Sequence, residues 1–197
     1  MRITVTICIL FLFTPVFSLP VTERKKHLEK RLKMANDAVE AFSASQLTEN
    51  LSQVKESMGK MEEAFSLNDT KAGTALLEKT EKLLHKSEKE ISAMLEQQAK
   101  KLIEIFSSAK DEKEVHPGEK PVVSSSAKEK IVKYFQMAKA EYASAEKYSR
   151  ERKYYYTLYI YKRSIRYSIE GIRETGNTIA PEFKNAEKWT KTESHKN

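Results

Sequence analysis

Apolar residues recur at steps of three, four and seven along most of this chain, and that spacing leaves little room for anything but helix. Leu28, Leu32, Ala35, Val39 and Phe42 form one set. Leu47, Leu51, Val54, Met58, Met61 and Phe65 form a second, and Leu77, Leu84, Ile91, Leu95, Leu102 and Phe106 a third. Each set lines one face of an α-helix. Neither Gly nor Pro interrupts the stretch from Val21 to Met58. The phase slips between Phe42 and Leu47, so a break, or a stutter in one long helix, is expected near Ser43-Ala44-Ser45. Leu67-Asn68-Asp69-Thr70 reads as a turn, with Asp69 capping the next helix. The spacing predicts a long antiparallel helical hairpin over residues 19–106 with a coiled-coil-like seam. Glu78 and Lys82 stand four residues apart on its outer face.

Residues 107–126 carry His116-Pro117-Gly118, Pro121 and Ser124-Ser125-Ser126, and read as a flexible linker. Beyond it, Ile131, Phe135, Ala138, Tyr142, Ala145 and Tyr148 mark a fourth helix. Tyr154, Leu158, Tyr161, Ile165, Ile169 and Ile172 mark a fifth, with a turn expected at Arg150-Glu151-Arg152-Lys153 and a C-terminal cap at Gly176. This second hairpin spans residues 127–176. Residues 177–197 form a polar tail that can dock only through Ile179, Phe183 and Trp189. The fold class is therefore all-α: two helical hairpins joined by a linker.

Within the second hairpin, Ala145, Thr157 and Ser164 alternate with Tyr148, Tyr154 and Tyr161. That alternation of small and aromatic residues resembles one tetratricopeptide unit over residues 138–171, about 34 residues. Arg152 stands where the repeat has its turn glycine, and Ile169 where a proline would end the unit. The resemblance implies two closely packed short helices and a role in protein–protein interaction.

The first eighteen residues have a different character. Met1-Arg2 is a short positive start, Ile3 to Phe17 are almost all apolar, and Val16-Phe17-Ser18 suits cleavage after Ser18. This is the layout of a secretory signal peptide, and the run is shorter than the ~20 residues of a bilayer span. Residues 1–18 are expected to be removed on export to the periplasm, the envelope or the extracellular space. The one cysteine, Cys8, would leave with them, so neither disulfides nor cysteine metal sites are expected.

Charge is unevenly spread. From Ala127 onward there are sixteen Lys and Arg against nine Glu and no Asp, whereas the rest of the chain is balanced. All nine tyrosines fall between Tyr134 and Tyr167. At about 100° per residue, Arg152, Tyr155, Tyr159, Lys162, Arg163, Arg166 and Arg173 share one arc of the fifth helix, with Glu170 among them. Such a stripe is a candidate anion-binding surface for acidic glycans or anionic lipid heads, or else a solvated face paired with carboxylates elsewhere. Tyr156, Ile160 and Tyr167 form a second apolar stripe on the same helix. Either the N-terminal hairpin covers it, or it is an interface for a partner.

Signatures of catalysis are missing from the sequence. His27, His85, His116 and His195 lack metal-ligand spacing, and there is no nucleophile elbow, P-loop or dinucleotide fingerprint. The expectation is a non-enzymatic exported protein without cofactor or metal, acting on a protein partner. The alternative is a binder of polyanions or anionic membrane surfaces through the basic fifth helix. Export argues against a nucleic-acid partner.

Overall fold

The computed structural model describes residues 20–115 and 125–192. Among them every regular element is helical: α1 (Val21–Ala41), α2 (Thr48–Ser66), α3 (Thr70–Val115), α4 (Ser125–Arg150), α5 (Tyr154–Glu174) and α6 (Lys184–Lys191). Short 3-10 turns at Ser45–Leu47 and Pro181–Phe183 lead into α2 and α6. The proposed signal peptide, Cys8, His116 and His195 lie outside the described residues.

Three of the helix ends share one device. Ser43, Asn68 and Arg152 adopt left-handed backbone with φ of 50°, 60° and 58°. In each case the following N–H reaches back five residues: Ala44 to the Val39 carbonyl (3.0 Å), Asp69 to Ala64 (3.0 Å) and Lys153 to Tyr148 (3.0 Å). This bond absorbs the carbonyls a helix end leaves open and turns the chain sharply. The expected slip at residues 42–47 is thus a full break, with α1 and α2 as separate helices. Asp69 caps α3, its carboxylate accepting from the Ala72 N–H at 2.9 Å. Gly176, at φ 79°, closes α5.

The helices alternate in direction. Arg24 reaches Glu81 and Arg31 reaches Glu88, so α1 runs parallel to α3. Asn50 meets Glu90 while Ser57 meets Thr80, so α2 is antiparallel to α3. His85 lies against Tyr154, and Phe106 against Gly171, which sets α5 parallel to α3. Tyr134 stacks on Tyr167 and Tyr148 sits by Tyr156, which makes α4 antiparallel to α5.

Helix α3 is the spine. Its 46 residues span about 70 Å at 1.5 Å per residue. Leu77, Leu84, Ile91, Leu95, Leu102 and Phe106 are fully buried along it, and the core they join runs from Leu28 in α1 to Trp189 in α6. The two halves therefore share one core along α3. The linker boundary also moves. Residues 107–115 hold neither Gly nor Pro, and α3 continues through them to Val115, burying Ala109. Residues 116–124 are outside the described set. The tail docks: Phe183 and Trp189 are buried, both edge-on to Phe42.

Small residues let α4 and α5 approach closely. Ala138, Ala145, Thr157, Ser164 and Ser168 are buried between helices, and the Ser164 hydroxyl donates to the Ala138 carbonyl at 2.8 Å. Among the described residues no helix is long and apolar enough to cross a membrane.

Candidate interaction surface

At the end of the molecule where α5 begins, α1, α4 and α5 bring their aromatic residues together. His27 of α1 meets Tyr155 edge-on at 5.5 Å, Tyr155 meets Tyr156 at 5.6 Å, and Tyr156 lies 6.3 Å from Tyr148 of α4. The Lys153 ammonium sits 5.5 Å above the Tyr148 ring. The reversal at Arg152 makes this possible, because its left-handed backbone folds α5 back so that Tyr156 returns to Tyr148. Tyr156 is 57% exposed and Tyr159, one turn further, 44%. Tyr148, Tyr155 and Tyr156 touch one another in a chain, and Tyr156 and Tyr159 are open to solvent.

The seven-residue stripe does not survive as one cationic face. Arg152 sits in the turn, outside the helical arc. Tyr159 is exposed on α5 and Tyr155 is half-buried against His27 of α1, while Lys162 is only 5% exposed, with its ammonium 5.0 Å from the Trp189 ring of α6. Arg163 pairs with Glu141 of α4, Arg166 with Glu170 at 3.0 Å, and Arg173 with Glu187 of α6. A single-helix arc takes no account of α4 and α6 closing in from either side. Burial raises the Glu141 carboxyl above its ordinary range, against the pull of Arg163. Glu187 is held below its ordinary range, first by the Lys191 hydrogen bond and then by Arg173.

The second stripe divides as well. Tyr156 is exposed, whereas Ile160 is half-buried against the core and Tyr167 stacks on Tyr134 with centroids 6.4 Å apart. The cover comes from α4 and not from the N-terminal hairpin, because the small residues between α4 and α5 bring α4 down over that side.

Elsewhere the chemistry is structural. No group of three His, Cys, Asp or Glu that could hold a metal ion occurs among the described residues. His85 packs on Tyr154 at 5.0 Å. Tyr161 is fully buried with no hydrogen bond of ordinary length and angle to its hydroxyl among the described residues, and burial, reinforced by Glu96, drives its phenol far above the ordinary range. A shallow groove between α1 and α6 is lined by Lys33, Asp37, Glu40, Lys188 and Trp189, a mixture of charges with no convergent polar set.

Sequence reasoning missed the pairs Arg24–Glu81 and Arg31–Glu88. Their signal was present: two arginines seven apart, matched by two glutamates seven apart in the next hydrophobic repeat but one. Protein-family models, curated proteins and solved structures were all compared with the chain, and none matches it.

Proposed function

We propose that this is an exported, non-enzymatic helical protein that acts by binding a protein partner through the open face at the start of α5. One observation carries the reading. Tyr156 and Tyr159 are exposed side by side on a rigid helix, next to Arg163, while the other tyrosines of that helix are buried or half-buried. Tyrosine and arginine on an ordered scaffold are the residues that concentrate binding energy at protein interfaces. A ring already held by its neighbours loses little freedom on binding. The tetratricopeptide-like alternation in α4 and α5 agrees with such a role. The signal-like first eighteen residues support export to the envelope or beyond.

The polyanion alternative gains less from the same surface. Arg163, Arg166 and Arg173 already hold carboxylates, so an anionic ligand would have to displace them.

The test is a photo-crosslinking residue at position 159 in the producing cells. A discrete adduct that disappears with Tyr156→Ser, while helicity is retained, supports the reading. Absence of any adduct from a correctly exported protein removes it. Mass determination of the mature N-terminus tests the export component separately.

A further inference from the structure

Two Asn-x-Ser/Thr triplets occur in the chain, Asn50-Leu51-Ser52 and Asn68-Asp69-Thr70. This is the acceptor pattern for N-linked glycosylation, and it has meaning where an exported chain presents it in a surface turn. The fold separates the two. Asn50 is half-buried, its Nδ2 donates to the Glu90 carboxylate of α3, and Leu51 beside it is fully buried. A sugar on that nitrogen would stand between α2 and α3. Asn68, Asp69 and Thr70 are all exposed, and they form the reversal from α2 into α3. Among the described residues the Asn68 side-chain amide and the Thr70 hydroxyl make no hydrogen bond. Leu67, beside them, is 73% exposed, more than any other large apolar residue of the described set. The tip also stands clear of the body. Arg24 pairs with Glu81 and Tyr154 lies on His85, so α1 begins near the level of Glu78 and α5 near that of His85. Thr70 lies about 22 Å along α3 from the level at which α5 begins.

We infer that Asn68 carries a single N-linked glycan, added as the chain enters the secretory route of the producing cell. The inference rests on the export reading above. The donor is an oligosaccharide held on a lipid diphosphate, and the transferase belongs to the cell. Nδ2 of Asn68 forms a bond to the anomeric carbon of the first sugar. The bond from that carbon to the diphosphate oxygen breaks, the lipid diphosphate leaves, and the proton lost by Nδ2 ends on it. Thr70 supplies the hydroxyl that the acceptor pattern requires two residues on. Both triplets are open to the transferase while the chain is unfolded, but only Asn68 is compatible with the packed hairpin once it carries a sugar. At the projecting tip the glycan meets no helix, and its first sugar shields Leu67 from water. The attachment point is remote from the tyrosine face of α5, so the modification leaves the protein-partner surface accessible.

The experiment is the intact mass of the full chain purified from the producing cells, before and after treatment with peptide-N-glycosidase, with the mature N-terminus determined on the same sample. The wild type should lose the mass of one oligosaccharide, and peptide mapping should place it on Asn68. Asn68→Gln and Thr70→Ala should each abolish the loss, whereas Thr70→Ser and Asn50→Gln should retain it. The two Thr70 variants change only an exposed side chain at the start of α3, so a difference between them reads the acceptor pattern and not the fold; circular dichroism checks that helicity is unchanged. A chain beginning at Leu19 with no oligosaccharide overturns the inference and leaves export standing, and it assigns Asn68 to its left-handed turn alone. A chain that keeps Met1 in the cytosol removes both readings. An oligosaccharide on Asn50, alone or together with one on Asn68, also overturns the inference.

Discussion

Phe106 occupies the space that a side chain at residue 171 would need: a β-carbon on Gly171 would lie 2.0 Å from Cζ of its ring. The ring cannot retreat, because it is fully buried and meets Phe135 edge-on at 5.3 Å. This contact sets how closely α3 and α5 pack. Gly171→Ala gains about 1 kcal/mol of helix propensity but overpacks the core at about 1–3 kcal/mol. We expect a net loss of roughly 1–2 kcal/mol, read as a lower urea midpoint. Gly59 is the internal control. A β-carbon there meets nothing within 4 Å, so Gly59→Ala should raise stability by up to about 1 kcal/mol.

The paired arginines of α1 differ in what surrounds them. Glu88 has no exposed surface, and Arg31, 14% exposed, reaches it with two bonds of 2.9 and 2.7 Å. Arg24 and Glu81 make the same fork nearer to solvent. Arg31→Ala would strand a buried carboxylate, and we expect a loss of about 3–5 kcal/mol. Arg24→Ala should cost no more than about 1 kcal/mol, and less at high salt. Replacing both Arg31 and Glu88 by Met and Leu should recover most of the stability. Denaturant titrations of the three variants decide the matter.

Which parts of this arrangement can be read from the sequence follows from the range over which each force acts. The faces of α3 and α5 are legible because Leu84, Ile91, Leu158 and Ile165 repeat with the helical period and are all fully buried. The turns at Asn68 and Arg152 are legible because the apolar stripe stops there. Helix α3 passing its expected end at Phe106 shows the limit of that reasoning: Ser107 and Ser108 resemble a terminus, yet serine does not stop a helix, and the first proline after them is Pro117. The candidate stripe on α5 failed as a surface for a different reason. A helical wheel describes one helix, whereas the fates of Lys162 and Arg173 depend on α6, which returns to them from the end of the chain.

Tyr161 packs against Tyr142 with centroids 5.7 Å apart, and its hydroxyl lies near the Glu96 carboxylate without making a hydrogen bond of ordinary length and angle among the described residues. A buried hydroxyl left unsatisfied carries a desolvation cost of about 1–3 kcal/mol. Tyr161→Phe removes that oxygen without changing the ring. We expect it to be neutral or to stabilise by up to about 1 kcal/mol, an unusual sign for a fully buried position. By contrast, Tyr156→Ser changes an exposed ring and should alter stability by no more than about 0.5 kcal/mol. Thermal melts read the Tyr161 change, whereas the proposed role of Tyr156 is read by the crosslink at residue 159.

Helix α6 is docked by Phe183 and Trp189 and clasped by the Arg173–Glu187 pair, which acid should loosen. The Glu187 carboxylate accepts from Lys191 at 2.6 Å and pairs with Arg173, and these contacts hold it below its ordinary value of 4.5. A carboxylate whose pKa is depressed by folding contributes stability above its unfolded pKa, and that contribution is lost as pH falls through the lower, folded value. The window is therefore beneath 4.5; near neutrality the contribution is complete and does not vary with pH. Trp189, the single tryptophan, reports on the event because it sits on Phe42 and Lys162 within the docked helix. Acidification should shift its emission to longer wavelength before the bulk of the helicity disappears. Glu187→Gln should remove that step and leave α6 more loosely held at neutral pH. If the emission holds steady until the whole bundle melts, α6 is fastened by Phe183 and Trp189 alone, and Glu187 plays no part in the clasp.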